Sequence, residues 1–142
     1  MTALTQTAAN VAIGSSTTKT KIVQYGESVT QGMPLYQSTA DSKYYQSDAD
    51  VEATAIAHVI ALTPGSADAY GVVAIPATEP GKSSVNLGAT LTVGETYCVS
   101  VTKGGIEPIG DLLSGDFTTI LGIATTTALM DFQIVIGNTA KA

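Results

Sequence analysis

The apolar residues of this chain arrive in short, β-branched runs, most of them cut off by Gly or Pro before a helix could complete three turns. That pattern constrains the fold more than anything else in the sequence. Val, Ile, Thr, Tyr and Phe fit a pleated, half-buried surface, and Gly supplies the tight turns between strands. The runs fall at 21–25, 33–37, 43–46, 58–62, 70–75, 85–93, 97–101, 117–124 and 129–136. Pro34 places the second of them at an edge or a bulge. The turn at 38–42 makes 33–37 and 43–46 a hairpin. Only 48–57 reads as a helix, with Asp48 or Asp50 as its cap and an acidic first turn. The expectation is a mainly β chain, a small antiparallel β-barrel or sandwich of about nine short strands with one short helix. Its expected core is Ile60, Leu62, Val73, Leu91, Ile120, Ile123, Phe132 and Ile134.

Residues 1–19 differ from the rest. They are polar and rich in Thr, Ser and Ala, with no period of 2 or 3.6 that would bury a face. They read as an extended N-terminal arm that stays off its own core, followed by a single β-rich domain at 20–142. Such a segment is either a disordered terminus or an arm that orders against a partner, where main-chain pairing to a sheet edge gives affinity without demanding particular side chains. The residues expected to carry that contact are Thr2, Leu4, Thr7, Val11 and Ile13.

The two halves of the chain also echo each other. Val29 to Ser38 aligns with Leu91 to Ser100, with Thr30/Thr92, Gly32/Gly94 and Ser38/Ser100 identical. Each segment is followed by a turn, an acidic loop and an Ile-Ala pair, Ile60-Ala61 and Ile123-Ala124. Two Thr-rich hairpins can match by chance; the alternative is an internal duplication giving a pseudo-two-fold barrel.

Charge narrows the partners. Six Lys, no Arg and twelve acidic residues give a net charge of −6, and only 13% of residues are charged. Nucleic acid and anionic membranes are held by clustered basic residues, so neither is an expected partner. So sparse a charge repels neighbouring copies weakly, which favours an oligomer or a lattice component. One Cys excludes an intrachain disulfide framework. The first ten residues show no basic n-region or apolar h-region, so no secretory signal is expected.

The residues that could carry chemistry are few. His58, the only His, lies in an apolar run and reads as a core or interface residue rather than a general base. Cys98 alternates with Tyr97 and Val99 and reads as a small packing side chain. Asp41, Asp48 and Asp50 cluster near a turn, but their spacing is not that of a calcium loop. Tyr44 and Tyr45 are adjacent on a strand and must face opposite sides, one to the core and one to the surface. Lys103 sits near a turn without the acidic or Met-flanked setting of a carrier-domain lysine. No catalytic, cofactor-binding or metal-binding residue is expected.

Six stretches, three in each half, carry a resemblance. Gly26 to Tyr36, Asp41 to Tyr45 with Asp48-Ala-Asp50, and Ile60 to Thr63 resemble capsid decoration proteins of tailed bacteriophages, also called head-stabilising or cement proteins. Leu87 to Tyr97, Ser100 to Ile106, and Gly115-Asp116 through Leu121-Gly-Ile-Ala124 resemble them more closely. The match covers residues 20–137 and rests on Gly, Asp and apolar positions. The resemblance implies a viral structural protein on the outer surface of the mature icosahedral head, assembled in the host cytoplasm. Its partners would be the major capsid protein and itself, as a homotrimer at three-fold positions, with no cofactor and no enzymatic activity. The acidic balance means that apolar and main-chain contacts would have to outweigh charge attraction. The alternative is a carbohydrate-binding head-fibre or adhesin-type module, which would show exposed aromatics in a groove.

Overall fold

In a computed structural model, residues 3–140 are described, with side chains to 137. Among them are eleven strands: β1 (Val11–Ile13), β2 (Thr20–Gln24), β3 (Pro34–Gln37), β4 (Tyr44–Gln46), β5 (Val59–Ala61), β6 (Tyr70–Ala74), β7 (Ser84–Leu87), β8 (Thr96–Val99), β9 (Ile106–Pro108), β10 (Phe117–Ala124) and β11 (Leu129–Ala140). They form two antiparallel sheets. One has the order β2-β6-β5-β3-β4 and the other the order β1-β7-β11-β10-β8-β9. The mainly β expectation holds, and β3 and β4 are the hairpin foreseen at 33–46. No ladder runs all the way round either sheet, so neither closes as a barrel.

Without β1, the two sheets are copies of one topology. Replacing β2, β3, β4, β5 and β6 by β7, β8, β9, β10 and β11 converts one strand order into the other. The register follows. Tyr36 faces Tyr45 as Cys98 faces Glu107, Ile60 faces Ala74 as Ile123 faces Asp131, and Ile22 faces Val72 as Asn86 faces Leu129. Buried positions match too: Leu35 with Tyr97, Tyr44 with Ile106, Ala61 with Ala124, Val73 with Met130. Of the two readings of the sequence echo, shared topology and register support the internal duplication.

Two apolar clusters follow from this layout. Val23, Tyr25, Leu35, Tyr44, Val59 and Val73 fill the first half. Leu87, Leu91, Tyr97, Ile106, Leu121, Met130 and Phe132 fill the second, and Ala49, Ala57, Ile60 and Ala74 of the first half join that cluster from outside. The halves are also stitched by backbone bonds, Ala49 N–H to Ser100 O at 3.0 Å and Phe117 N–H to Ala49 O at 3.0 Å.

Three expectations change. First, 48–57 is not a helix: only Glu52–Thr54 forms a single 3-10 turn, capped by neither Asp48 nor Asp50. The stretch is held instead by bonds to distant strands, including Thr119 Oγ1 to Ala55 O. Tertiary packing outweighs a weak local propensity here. Second, Ile123 is 49% exposed rather than core. A register shift between Ile120 and Gly122 puts both Leu121 and Gly122 on the buried side, and Ile123 then turns outward. Gly122 permits this, since a Cβ there would strike the Asp131 carbonyl. Ile60, Val73, Leu91 and Phe132 are buried as expected, while Leu62, Ile120 and Ile134 are half-buried. Third, the arm joins its own body.

Candidate functional site

The N-terminal segment, expected to await a partner, lies against the second half. Leu4 N–H donates to Ile106 O at 2.7 Å, Thr7 N–H to Gly88 O at 2.6 Å, and β1 pairs with β7 from Val11↔Leu87 to Ile13↔Val85. Gln6 Nε2 donates to both Gly32 O and Leu87 O, at 3.1 and 3.0 Å, tying the arm to both halves. Ile106 corresponds to Tyr44, whose carbonyl accepts the Gly26 N–H in the first half. The arm thus supplies in the second half a bond that the chain following β2 supplies in the first. The arm shows no apolar period because, among its described residues, only Leu4 and Val11 turn large apolar side chains inward.

Of the five arm residues singled out, Leu4 and Val11 pack inward, and Thr7 and Ile13 stay exposed. Thr2 lies outside the described residues. Thr7 lines a polar groove of about 510 Å³ between the arm and the second sheet, together with Thr5, Asn10, Asn86, Thr90 and Thr127. A second cleft of about 320 Å³ lies where the halves join, with Lys19, Glu79 and Lys82 in its wall.

The titratable candidates are structural in their surroundings. His58 Nδ1 accepts the Gln37 N–H at 2.9 Å, which requires the neutral ring at that nitrogen. His58 is exposed rather than core, yet partial desolvation of the ring, then the Lys21 ammonium, holds its pKa below 6.5. Cys98 is fully buried, and its Sγ donates to Glu107 O at 3.4 Å. Glu107, in the short strand β9 that no local β-branched run signals, is itself fully buried, with Oε1 accepting the Val101 N–H at 3.1 Å. Asp41 accepts from Tyr45 Oη at 2.6 Å and from Lys43 N at 3.0 Å. The tyrosine bond, foremost, lowers the Asp41 pKa and raises that of Tyr45. Among the described residues no group of three His, Cys, Asp or Glu is arranged to hold a metal. Lys103 pairs with Glu27 at 2.9 Å across the halves. Tyr44 is buried, and Tyr45 stacks on Tyr36 at the surface, ring centroids 6.1 Å apart.

What the surface offers instead is apolar area and backbone. The β7 ladder ends at Asp131, whereas pairing with β10 continues to Phe117↔Ala140. Beyond Asp131, β11 keeps its ladder with β10 alone, whose start is anchored to Ala49 and Ala55, and Val135 is 57% and Ile136 38% exposed. From Gln133 to Ala140 β11 carries no charge. The first half has nothing like it, since its counterpart β6 stops at Ala74. Ile22 and Tyr70 are also exposed, on neighbouring strands of the first sheet.

No family model, curated protein or solved structure matches this chain. Among the described residues no helix is long and apolar enough to cross a membrane.

Proposed function

We propose that this chain is a viral structural protein that binds the outer surface of the mature icosahedral head, stabilises contacts between major capsid subunits, and associates with itself as a trimer. The observation that carries the reading is the uncharged β10–β11 ribbon with Val135 and Ile136 turned to solvent. Apolar strand segments left at a surface are an aggregation hazard unless something covers them. A shell subunit offering an extended segment or an apolar ledge would cover it without needing charge attraction, which suits a chain of net charge −6. Thr7 and Ile13 are the arm residues still available to the same partner.

The test is co-sedimentation with undecorated expanded heads. Wild-type protein should saturate the heads, and Val135→Glu with Ile136→Glu should weaken binding by at least about tenfold. Equal occupancy by both proteins would remove the ribbon from the contact. Failure of the wild type to bind heads, with capture on a glycan array, would replace the reading by the carbohydrate-binding module.

A further inference from the structure

The two halves share a topology, but they use different parts of it to hold each other. In the first half the outer face around Ile60 and Ala74 is fully buried, in the cluster that also holds Cys98. The corresponding residues of the second half are Ile123, which is exposed, and Asp131, which is half-buried with its Oδ2 accepting the Gly81 N–H at 3.1 Å. Conversely, Cys98 and Glu107 on the outer face of the second half are fully buried, while their counterparts Tyr36 and Tyr45 are only half-buried, beside the exposed His58. The contact between halves is therefore heterologous: one kind of face on the first half meets the other kind on the second. Each half keeps open part of the face its twin has used: Ile123 on the second, and His58 with the outer sides of Tyr36 and Tyr45 on the first.

A heterologous contact does not close on itself after two units; it can repeat between molecules. We propose that the outer face around Ile123 binds the Tyr36–Tyr45–His58 face of a second copy of this chain, extending between molecules the contact that the halves make within one. Val93, also exposed, belongs to the same end of the second half, because the adjacent Gly94 donates its N–H to Ala124 O at 2.8 Å. The occupant is a second copy because the complementary face is already present on every molecule, and its twin is already seen covered. Repeated around a three-fold axis, the contact would arrange six similar halves in one ring. The proposal rests on the self-association named above and not on attachment to a shell.

The experiment is sedimentation velocity on the full chain, carried to roughly millimolar protein, where even a weak contact is half formed. Wild type and Val135→Glu should associate. Ile123→Glu and His58→Glu, each spoiling one face, should associate at least about tenfold more weakly. Mixing those two variants should restore a single contact, because each retains the face the other lacks, and should yield a dimer. A monomeric wild type would overturn both this contact and the self-association it rests on. Association unchanged in Ile123→Glu, or no dimer on mixing, would overturn the contact alone. Circular dichroism of both variants separates loss of contact from loss of fold.

Discussion

Gly32 and Gly94 occupy the same place in the two halves: each lies in the left-handed region, at φ +88° and +85°, and each donates its N–H at 2.8 Å to an alanine carbonyl, Ala61 and Ala124 respectively. The sequence identity at these positions thus has a mechanical cause. A turn that enters β3 or β8 must pass through a conformation where a Cβ crowds the following carbonyl.

The two glycines should not respond alike to substitution. Around Gly94 a Cβ meets nothing within 4 Å, so Gly94→Ala should cost only the backbone strain, about 1–2 kcal/mol. At Gly32 the Cβ would also press on the Gln6 side chain. Gly32→Ala should therefore lose more by urea denaturation, and the excess should shrink in a Gln6→Ala background, where only the tight contact with Val11 Cγ2 is left. An equal loss at both sites would show that Gln6 does not hold the arm.

Removing the arm should destabilise the body. Val11→Ala, at a buried strand position, should lower stability by about 1–3 kcal/mol, and deletion of residues 2–18 should lower it further. Hydrogen exchange should rise along β7 and at Leu4's partner strand β9 in the truncated chain. Unchanged exchange there would mean that the pairing contributes nothing to the second half.

The outward turn of Ile123 can be read from stability alone. Phe132→Ala, in the second cluster, should cost about 3–5 kcal/mol, whereas Ile123→Ala should stay within about 1 kcal/mol. Comparable losses would place Ile123 in the core after all.

His58 should give the fold an acid limit. Its folded pKa lies below the ordinary 6.5, through burial first and Lys21 second, so the unfolded chain binds the proton more readily. The stability linked to this ring is complete above pH 6.5 and is lost as pH falls through the lower folded value. Protonation of Nδ1 also breaks the bond from Gln37 N–H. Tm measured from pH 8 to 5, on an order-of-magnitude grid of half a pH step, should fall more steeply for wild type than for His58→Asn. Parallel curves would assign the acid limit to the carboxylates.

The strands were legible because their signals are local. A β-branched run such as Phe117–Ala124 and a turn glycine such as Gly94 act within a few residues, so nine of the strands could be placed from the chain alone, and even the split between Tyr44 and Tyr45 followed from the two-residue period of a strand. The rest depended on partners far along the chain. Val11–Ile13 becomes a strand only because the β7 edge is there to receive it, and Ile106–Pro108 only because β8 is. The alanines at 49 and 55 read as helix, yet their surroundings are set by Ser100, Phe117 and Thr119. Three identical residues hinted at duplication, but strand order and register carried the comparison across both halves, since packing preserves a topology long after side chains such as Tyr45 and Glu107 have diverged. Which of two similar faces is covered is decided by how the halves meet, and no local pattern encodes that: Ile60 and Ile123 stand in equivalent places, one buried and one facing water.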